Sequence, residues 1–180
     1  GILVYSNFRS IEGIELFARV LESNGYQWFD PQYPDLTPVP AGGAPRFAIL
    51  GKDYRTGGKN FTTEIIRIYN SEENKNGDII KILLGTSNIS EGLSLFNIRA
   101  VLIMEPHWNM VTINQVIGRA RRICSHRNLP RDKWNFQVYI YLSVVPEDQE
   151  ITLDVVSTDQ VLYEIAQRKE IVKNQFMHLI

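Results

Sequence analysis

Cysteine is nearly missing from this chain of 180 residues: Cys124 stands alone. One thiol excludes an intrachain disulfide and a cysteine-rich zinc site, and it fits a reducing intracellular compartment. Histidine is almost as scarce, with three in the chain. Neither His107 nor His126 has a Cys or carboxylate at ligand spacing, so no metal site is expected. No stretch approaches the roughly 18 consecutive apolar residues of a membrane span, and no signal peptide is visible. The phosphate cradle G-x-x-x-x-G-K-[ST] is missing as well: Gly51-Lys52-Asp53 and Gly58-Lys59-Asn60 lack the hydroxyl residue and the upstream glycine. No G-x-G-x-x-G follows a strand-like run, which disfavours a dinucleotide enzyme, and no carboxylate pair after a strand offers itself to Mg2+. An initiator Met is missing too, and the chain enters a strand-like run at once, so it is expected to be a segment of something longer.

Hydrophobic residues make up 44% and charged residues 22%, with a net charge of −1. That is the profile of one globular domain with a substantial core. The charge is unevenly placed. Gln115 to Lys133 holds five arginines and one lysine against Asp132 alone, whereas Pro146 to Glu164 holds six acids and no Lys or Arg. A basic patch on a neutral domain fits local contact with a polyanion.

Ile2-Leu3-Val4-Tyr5 reads as a buried strand. Ser10 has the form of a helix N-cap, followed by Ile11, Ile14, Phe17, Ala18 and Leu21 at helical spacing and by Gly25 as the stop. Ser6-Asn7-Phe8-Arg9 is then a strand-to-helix turn, at the edge where open α/β sheets bind ligands. Tyr26 to Arg46 holds five of the eight prolines with Tyr26, Trp28, Phe29 and Tyr33, and reads as a long loop, either functional or mobile, that the aromatics could pin down. Further strands are expected at 46–50, 79–84, 100–104 and 136–145, and a helix at about 61–70 with Ile65, Ile66 and Tyr69 inward. Ser157-Thr158-Asp159-Gln160 has the form of a capping box. It opens a terminal helix with Val161, Leu162, Ile165, Ile171 or Val172, and Phe176 inward. Strands alternating with helices predict an α/β fold, a mainly parallel sheet with helices on both faces. Residues 1–180 are expected to form one domain, with 146–180 as an extension ending in a helix.

Three stretches carry chemistry. If Gln115 to Arg122 is helical, Gln115, Arg119 and Arg122 share one face, while Ile113, Val116, Ile117, Ala120 and Ile123 share another that anchors the helix. Two arginines one turn apart repel, so an anion between them is favourable, and phosphate fits the guanidinium fork best. The alternative is a solvated basic face. Gly85 to Leu95 leaves a strand and is rich in Ser, Asn and Gly, so its backbone N–H groups and hydroxyls suit phosphate oxygens as well as an ordinary loop. Glu105-Pro106-His107-Trp108-Asn109 again ends a strand, where Trp108 covers the core or Asn109 caps the next helix.

Gln115-x-x-Gly118-Arg119-x-x-Arg122 resembles motif VI, Thr86 through Leu95 resembles motif V, and Tyr5-Ser6-Asn7-Phe8 stands where motif IV belongs. In this order they resemble the second RecA-like lobe of superfamily 2 helicases and translocases, over Ile2 to about Val145. The stretches Glu105 to Asn109 and Arg122 to His126 look most like helicases of large nucleocytoplasmic DNA viruses, including the poxvirus early transcription factor small subunit and relatives. The Trp108-Asn109 pair is also similar to chromatin-remodelling ATPases. The resemblance implies a RecA-like fold in a nucleic-acid-dependent ATPase or helicase, with ATP and Mg2+ held mainly by a first, N-terminal RecA-like lobe. Arg119 and Arg122 become arginine fingers for the γ-phosphate, a role worth roughly 10³–10⁵ in rate. Gln115 bonds the nucleotide or orders the arginines, and Gly92 lies near the nucleotide. Ser94 stands where many relatives place an Asp that contacts the ribose, so ribose contact is in doubt. Thr86, Ser6 and Asn7 hold the phosphodiester backbone of DNA or RNA. A viral transcription partner and a location in the virion or host cytoplasm follow if the source is viral, and the fragment alone is expected to be inactive. The same residues leave open an idle helicase-like binding module in a viral transcription or replication complex.

Overall fold

The computed structural model describes residues 1–10, 12–52, 54–87, 93–146 and 156–177. Strands β1 (Ile2–Tyr5), β2 (Gln27–Trp28), β3 (Arg46–Ile49), β4 (Ile82–Gly85), β5 (Ala100–Ile103) and β6 (Gln137–Ile140) form one sheet in the order β2-β3-β4-β1-β5-β6. Every neighbouring pair is parallel. The α-helices among the described residues are α1 (Ile14–Ser23), α2 (Thr62–Tyr69), α3 (Met110–Ala120) and α4 (Thr158–Met177). None of them is long and apolar enough to cross a membrane.

Period-two alternation divides the core into two layers. Leu3, Tyr5, Ala48, Leu83, Val101 and Ile103 pack against α2 and α3 through Ile65, Ile68, Tyr69, Ile113, Val116 and Ala120. Val4, Phe47, Ile49, Ile82 and Leu84 face the other way, onto Ile14, Ala18 and Leu21 of α1. Both faces of the central strands are therefore covered, which is why these strands read as unbroken apolar runs. This is the RecA-like α/β arrangement, with helices on both sides of a parallel sheet.

The elements depart from the sequence reading where tertiary contacts override local pattern. α1 begins at Ile14, not after Ser10: the Ser10 carbonyl accepts from Gly13 N (2.8 Å), and Phe8 O accepts from Ile14 N (3.1 Å). A Cβ at Gly13 would lie 1.9 Å from Phe8 O, so only glycine lets the chain fold back this closely before the helix starts. Ile11 lies outside the described residues. The stop at Gly25 stands, with φ 82°.

The proline-rich stretch contains a strand that the sequence hid. β2 adds two residues to the sheet edge by pairing Gln27 with Arg46 and Trp28 with Phe47. The chain between β2 and β3 is tied down by Val39 N donating to Asp78 O (2.8 Å) and by Arg46 binding Asp35 (2.5 Å). Of its aromatics, Phe29 is buried and Tyr26 and Trp28 pack on the α1 layer, whereas Tyr33 points to solvent.

β6 ends at Ile140 because β5, its partner, ends at Ile103, and Tyr141 N makes the last ladder bond to Ile103 O (2.9 Å). In α2, Ile66 packs on the core from a half-buried position and Ile68 is buried in its place. The capping box at α4 forms as read: Gln160 N donates to Ser157 Oγ (3.1 Å) and Ser157 N to Gln160 Oε1 (3.0 Å). Of its apolar residues Leu162 is half-buried, whereas Val161, Ile165, Ile171, Val172 and Phe176 are exposed. Only Ala166 is buried, and Val172 and Phe176 are each 64% exposed; the main contacts of α4 are with α3.

α3 also stops earlier than its pattern. Arg121 is the C-cap with φ −103° and ψ 71°, so Arg122 and Ile123 are off the helix and Ile123 is 96% exposed. The chain instead turns at Cys124 (φ 61°), and Ser125 O accepts from Asn97 N (2.9 Å). His126 Nε2 meets Ile98 O (2.6 Å). Pairing with residues 97–98 replaces the last helical turn.

Candidate functional site

β1 lies between β4 and β5, and the chain leaves β1 towards α1 on one face but leaves β5 towards α3 on the other. The two connections diverge, which opens a crevice at the carboxyl ends of the strands. Tyr5 pairs with Ile103, and the same register carried two residues further sets Asn7 beside Glu105. There the Ser6 hydroxyl donates to Glu105 Oε1 (2.9 Å) and the Asn7 backbone N–H donates to the same oxygen. Phe8 N donates back to Ser6 Oγ (3.0 Å), and Tyr5 Oη donates to Asn7 Oδ1 (3.0 Å). Ser6 is 1% exposed.

Burial pushes the Glu105 carboxyl above its usual range; the donors from Asn7, Ser6 and Phe8 pull it down, and the Asp159 charge adds to the rise. Burial, then the Glu105 charge, raises the Tyr5 phenol. A cleft of about 430 Å³ opens beside this cluster, lined among others by Asn7, Phe8, Glu105, Trp108, Asp159 and Leu162. Trp108 does not cover the core. It is exposed at the rim, 5.6 Å from the His107 ring, with Lys169 Nζ 4.3 Å from its centroid. Asn109 is the α3 N-cap, its Oδ1 accepting from Val111 N (2.9 Å).

A second group forms at the end of α3. Gln115 and Gly118 are exposed on the helix and Arg119 is half-exposed. Arg122, brought back by the turn instead of by helical periodicity, donates through Nη1 to Ser94 Oγ. Among the described residues no carboxylate forms an ion pair with Arg122. Leu95 N donates to Arg119 O (3.4 Å), so the segment after β4 touches both arginine positions. Thr86 is buried at the end of β4. Gly92 lies outside the described residues.

Sequence reasoning passed over two residues that organise these groups. Glu105 has no local partner in its stretch at the end of a strand; its link to Ser6 spans 99 positions and becomes legible once β1 and β5 are known to be neighbours. Asn70 carried no signal beyond ending a helix.

Residues 60–124 match the helicase conserved C-terminal domain. The chain carries a helicase C-terminal domain. The matched range runs from the start of α2 through the turn after α3 and holds Thr86, Ser94, Gln115, Arg119 and Arg122; Ser6 and Asn7 precede it. The chain is 38% identical to a candidate ATP-dependent RNA helicase of Acanthamoeba polyphaga mimivirus, over 81% of this chain and 24% of that protein. It is 30% identical to a candidate helicase of Invertebrate iridescent virus 3, over 98% of this chain and 17% of that protein. It is 29% identical to the termination factor NPH-I homolog of African swine fever virus, over 88% and 26%. The helicase domain thus spans about a quarter or less of these viral relatives. The C-terminal part of the Fun30 ATPase domain shares the fold, with a TM-score of 0.51 and 13% identity over 98% of this chain and 48% of that one.

Proposed function

We propose that this domain is the second motor lobe of a nucleic-acid-dependent ATPase. In this reading residues 1–180 act as one lobe, with 146–180 as its extension. Arg119 and Arg122 meet the γ-phosphate of ATP held, with Mg2+, by a first lobe of the same protein. The observation that carries the reading is the state of Arg122: an exposed guanidinium held by a neutral hydroxyl and by no described carboxylate. Among the described residues no carboxylate neutralises its charge, and a phosphoryl oxygen accepts the guanidinium fork better than water does. In this reading Gln115, one turn before Arg119 and exposed on α3, bonds the same nucleotide or orders the arginines.

The groups that end β4 and β1 serve the nucleic acid. Thr86 and the Asn7 side chain are the proposed backbone contacts. Ser6, whose hydroxyl is committed to Glu105, supports Asn7 from beneath. Contacts of this kind carry no sequence information, so binding is sequence-independent and weakens with salt. Closure of the two lobes around ATP and their relaxation after hydrolysis change that grip.

In the full-length protein, Arg122→Ala and Arg119→Ala are each expected to lower nucleic-acid-stimulated ATP turnover by at least about tenfold, within the range for arginine fingers, with a smaller loss of ATP binding. Unchanged turnover in both variants refutes the motor reading, and an unaltered protein without nucleic-acid-stimulated turnover would instead be a helicase-like binding module.

A further inference from the structure

We infer that Asn70 is a positioning residue that sets Arg122, acting through Ser94; the inference rests on the finger role proposed above. Asn70 is the C-cap of α2. Its Nδ2 donates to Ser94 O (2.8 Å) and its Oδ1 accepts from Phe96 N (2.9 Å). A primary amide offers a donor and an acceptor on one rigid plane, so it grips this backbone on both sides of Leu95 as a neighbouring strand would. Leu95 is buried beneath the clamp.

Three residues of the segment 94–97 reach the end of α3 or the turn that follows it. Ser94 Oγ accepts from Arg122 Nη1, Leu95 N donates to Arg119 O (3.4 Å), and Asn97 N donates to Ser125 O (2.9 Å). Residues 94–97 are therefore a strap between α2 and the arginine-bearing turn, and Asn70 sets its position. The separations, 24 and 26 residues along the chain, hide the link from any local pattern.

The choice of a hydroxyl at residue 94 matters. A long arginine side chain left alone samples many rotamers, and ordering it costs free energy at the moment of reaction. Ser94 restricts those rotamers with one hydrogen bond and leaves the positive charge intact. An ionised carboxylate there would pair with the guanidinium and compete with the phosphoryl group for it. Ser94 so employed is a support for Arg122.

The test uses the full-length protein and steady-state ATP hydrolysis with saturating nucleic acid. Asn70→Ala and Ser94→Ala are each expected to lower kcat about tenfold or more, as small misplacements of catalytic groups do, with KM for ATP unchanged. Ser94→Thr, which keeps the hydroxyl, retains turnover. The decisive arm is the double variant: in an Arg122→Ala background, Asn70→Ala and Ser94→Ala produce no further loss of kcat. A further loss there, or a rise in KM with kcat intact in either single variant, overturns the inference. Ser94→Ala keeps the backbone clamp and tests the Ser94–Arg122 link alone; if Asn70→Ala fails to fold, Asn70→Asp, which keeps the acceptor for Phe96 N and loses the donor to Ser94 O, takes its place with the same expected loss of kcat. If Arg122→Ala itself leaves turnover unchanged, the finger reading falls and this inference with it; if Arg122→Ala loses turnover and Ser94→Ala does not, only the inference falls.

Discussion

Replacing Asn74 with Ala is expected to destabilise the fold by about 3 kcal/mol. Asn74 follows α2, is 2% exposed, and spends its whole side-chain amide on backbone. Nδ2 donates to Tyr69 O (2.9 Å) and Ile80 O (3.2 Å), and Oδ1 accepts from Ile79 N (2.9 Å) and Ile80 N (2.9 Å). Alanine leaves two N–H groups and two carbonyls behind. Ile79 and Ile80 are buried, so water does not reach the orphaned donors, each of which costs about 1–3 kcal/mol. The carbonyls cost less, since an oxygen with two lone pairs tolerates under-satisfaction better. For a chain of this size the loss corresponds to a fall in Tm of roughly 6–12 °C. Chemical and thermal denaturation of the protein measure it directly. Asn74→Asp is the sharper control: it keeps both acceptor bonds but turns a carboxylate towards two carbonyls, so it is destabilising at neutral pH and partly recovers in acid, where a protonated carboxyl donates. A change in Asn74→Ala within about 0.5 kcal/mol, typical of surface substitutions, would refute the claim that this amide fastens α2 to β4.

Glu105 supplies a pH-dependent prediction. Its folded pKa is raised by burial, so the folded protein binds more protons than the unfolded chain between the two pKa values, and the Glu105 contribution to stability falls as pH rises through that window. Glu105→Gln retains an acceptor for Ser6 and Asn7 without the charge; its stability relative to wild type should improve from acid to neutral pH, and a difference that is flat in pH would refute the assignment. Asn109→Ala removes the α3 N-cap and should cost about 1 kcal/mol in denaturant melts; no change would mean that water replaces the cap.

How much was legible in the sequence follows from the range of the forces involved. Local chemistry was: the runs around Leu3, Ile49, Leu83 and Val101 are strands because β-branched and large apolar side chains suit a sheet buried on both faces. The apolar face of α3 through Ala120 was readable, as were the capping box at Ser157 and the order of the helicase-like motifs. At Ser10 and at Ile123 the helical pattern continued past the true ends, because pairing with residues distant along the chain was worth more than another turn.

The sequence by itself determined the class of fold, the apolar runs that become the central strands, and the residue types available to a phosphate. Only the tertiary structure decided which of those residues meet. Strand order brings Asn7 to Glu105, the Asn70 clamp brings Ser94 to the α3 end, and a turn off the helix, not the helix face, brings Arg122 to Ser94. Hydrogen bonds and ion contacts act over a few ångströms; residues 24 to 99 positions apart feel them once burial of the two apolar layers has set the sheet.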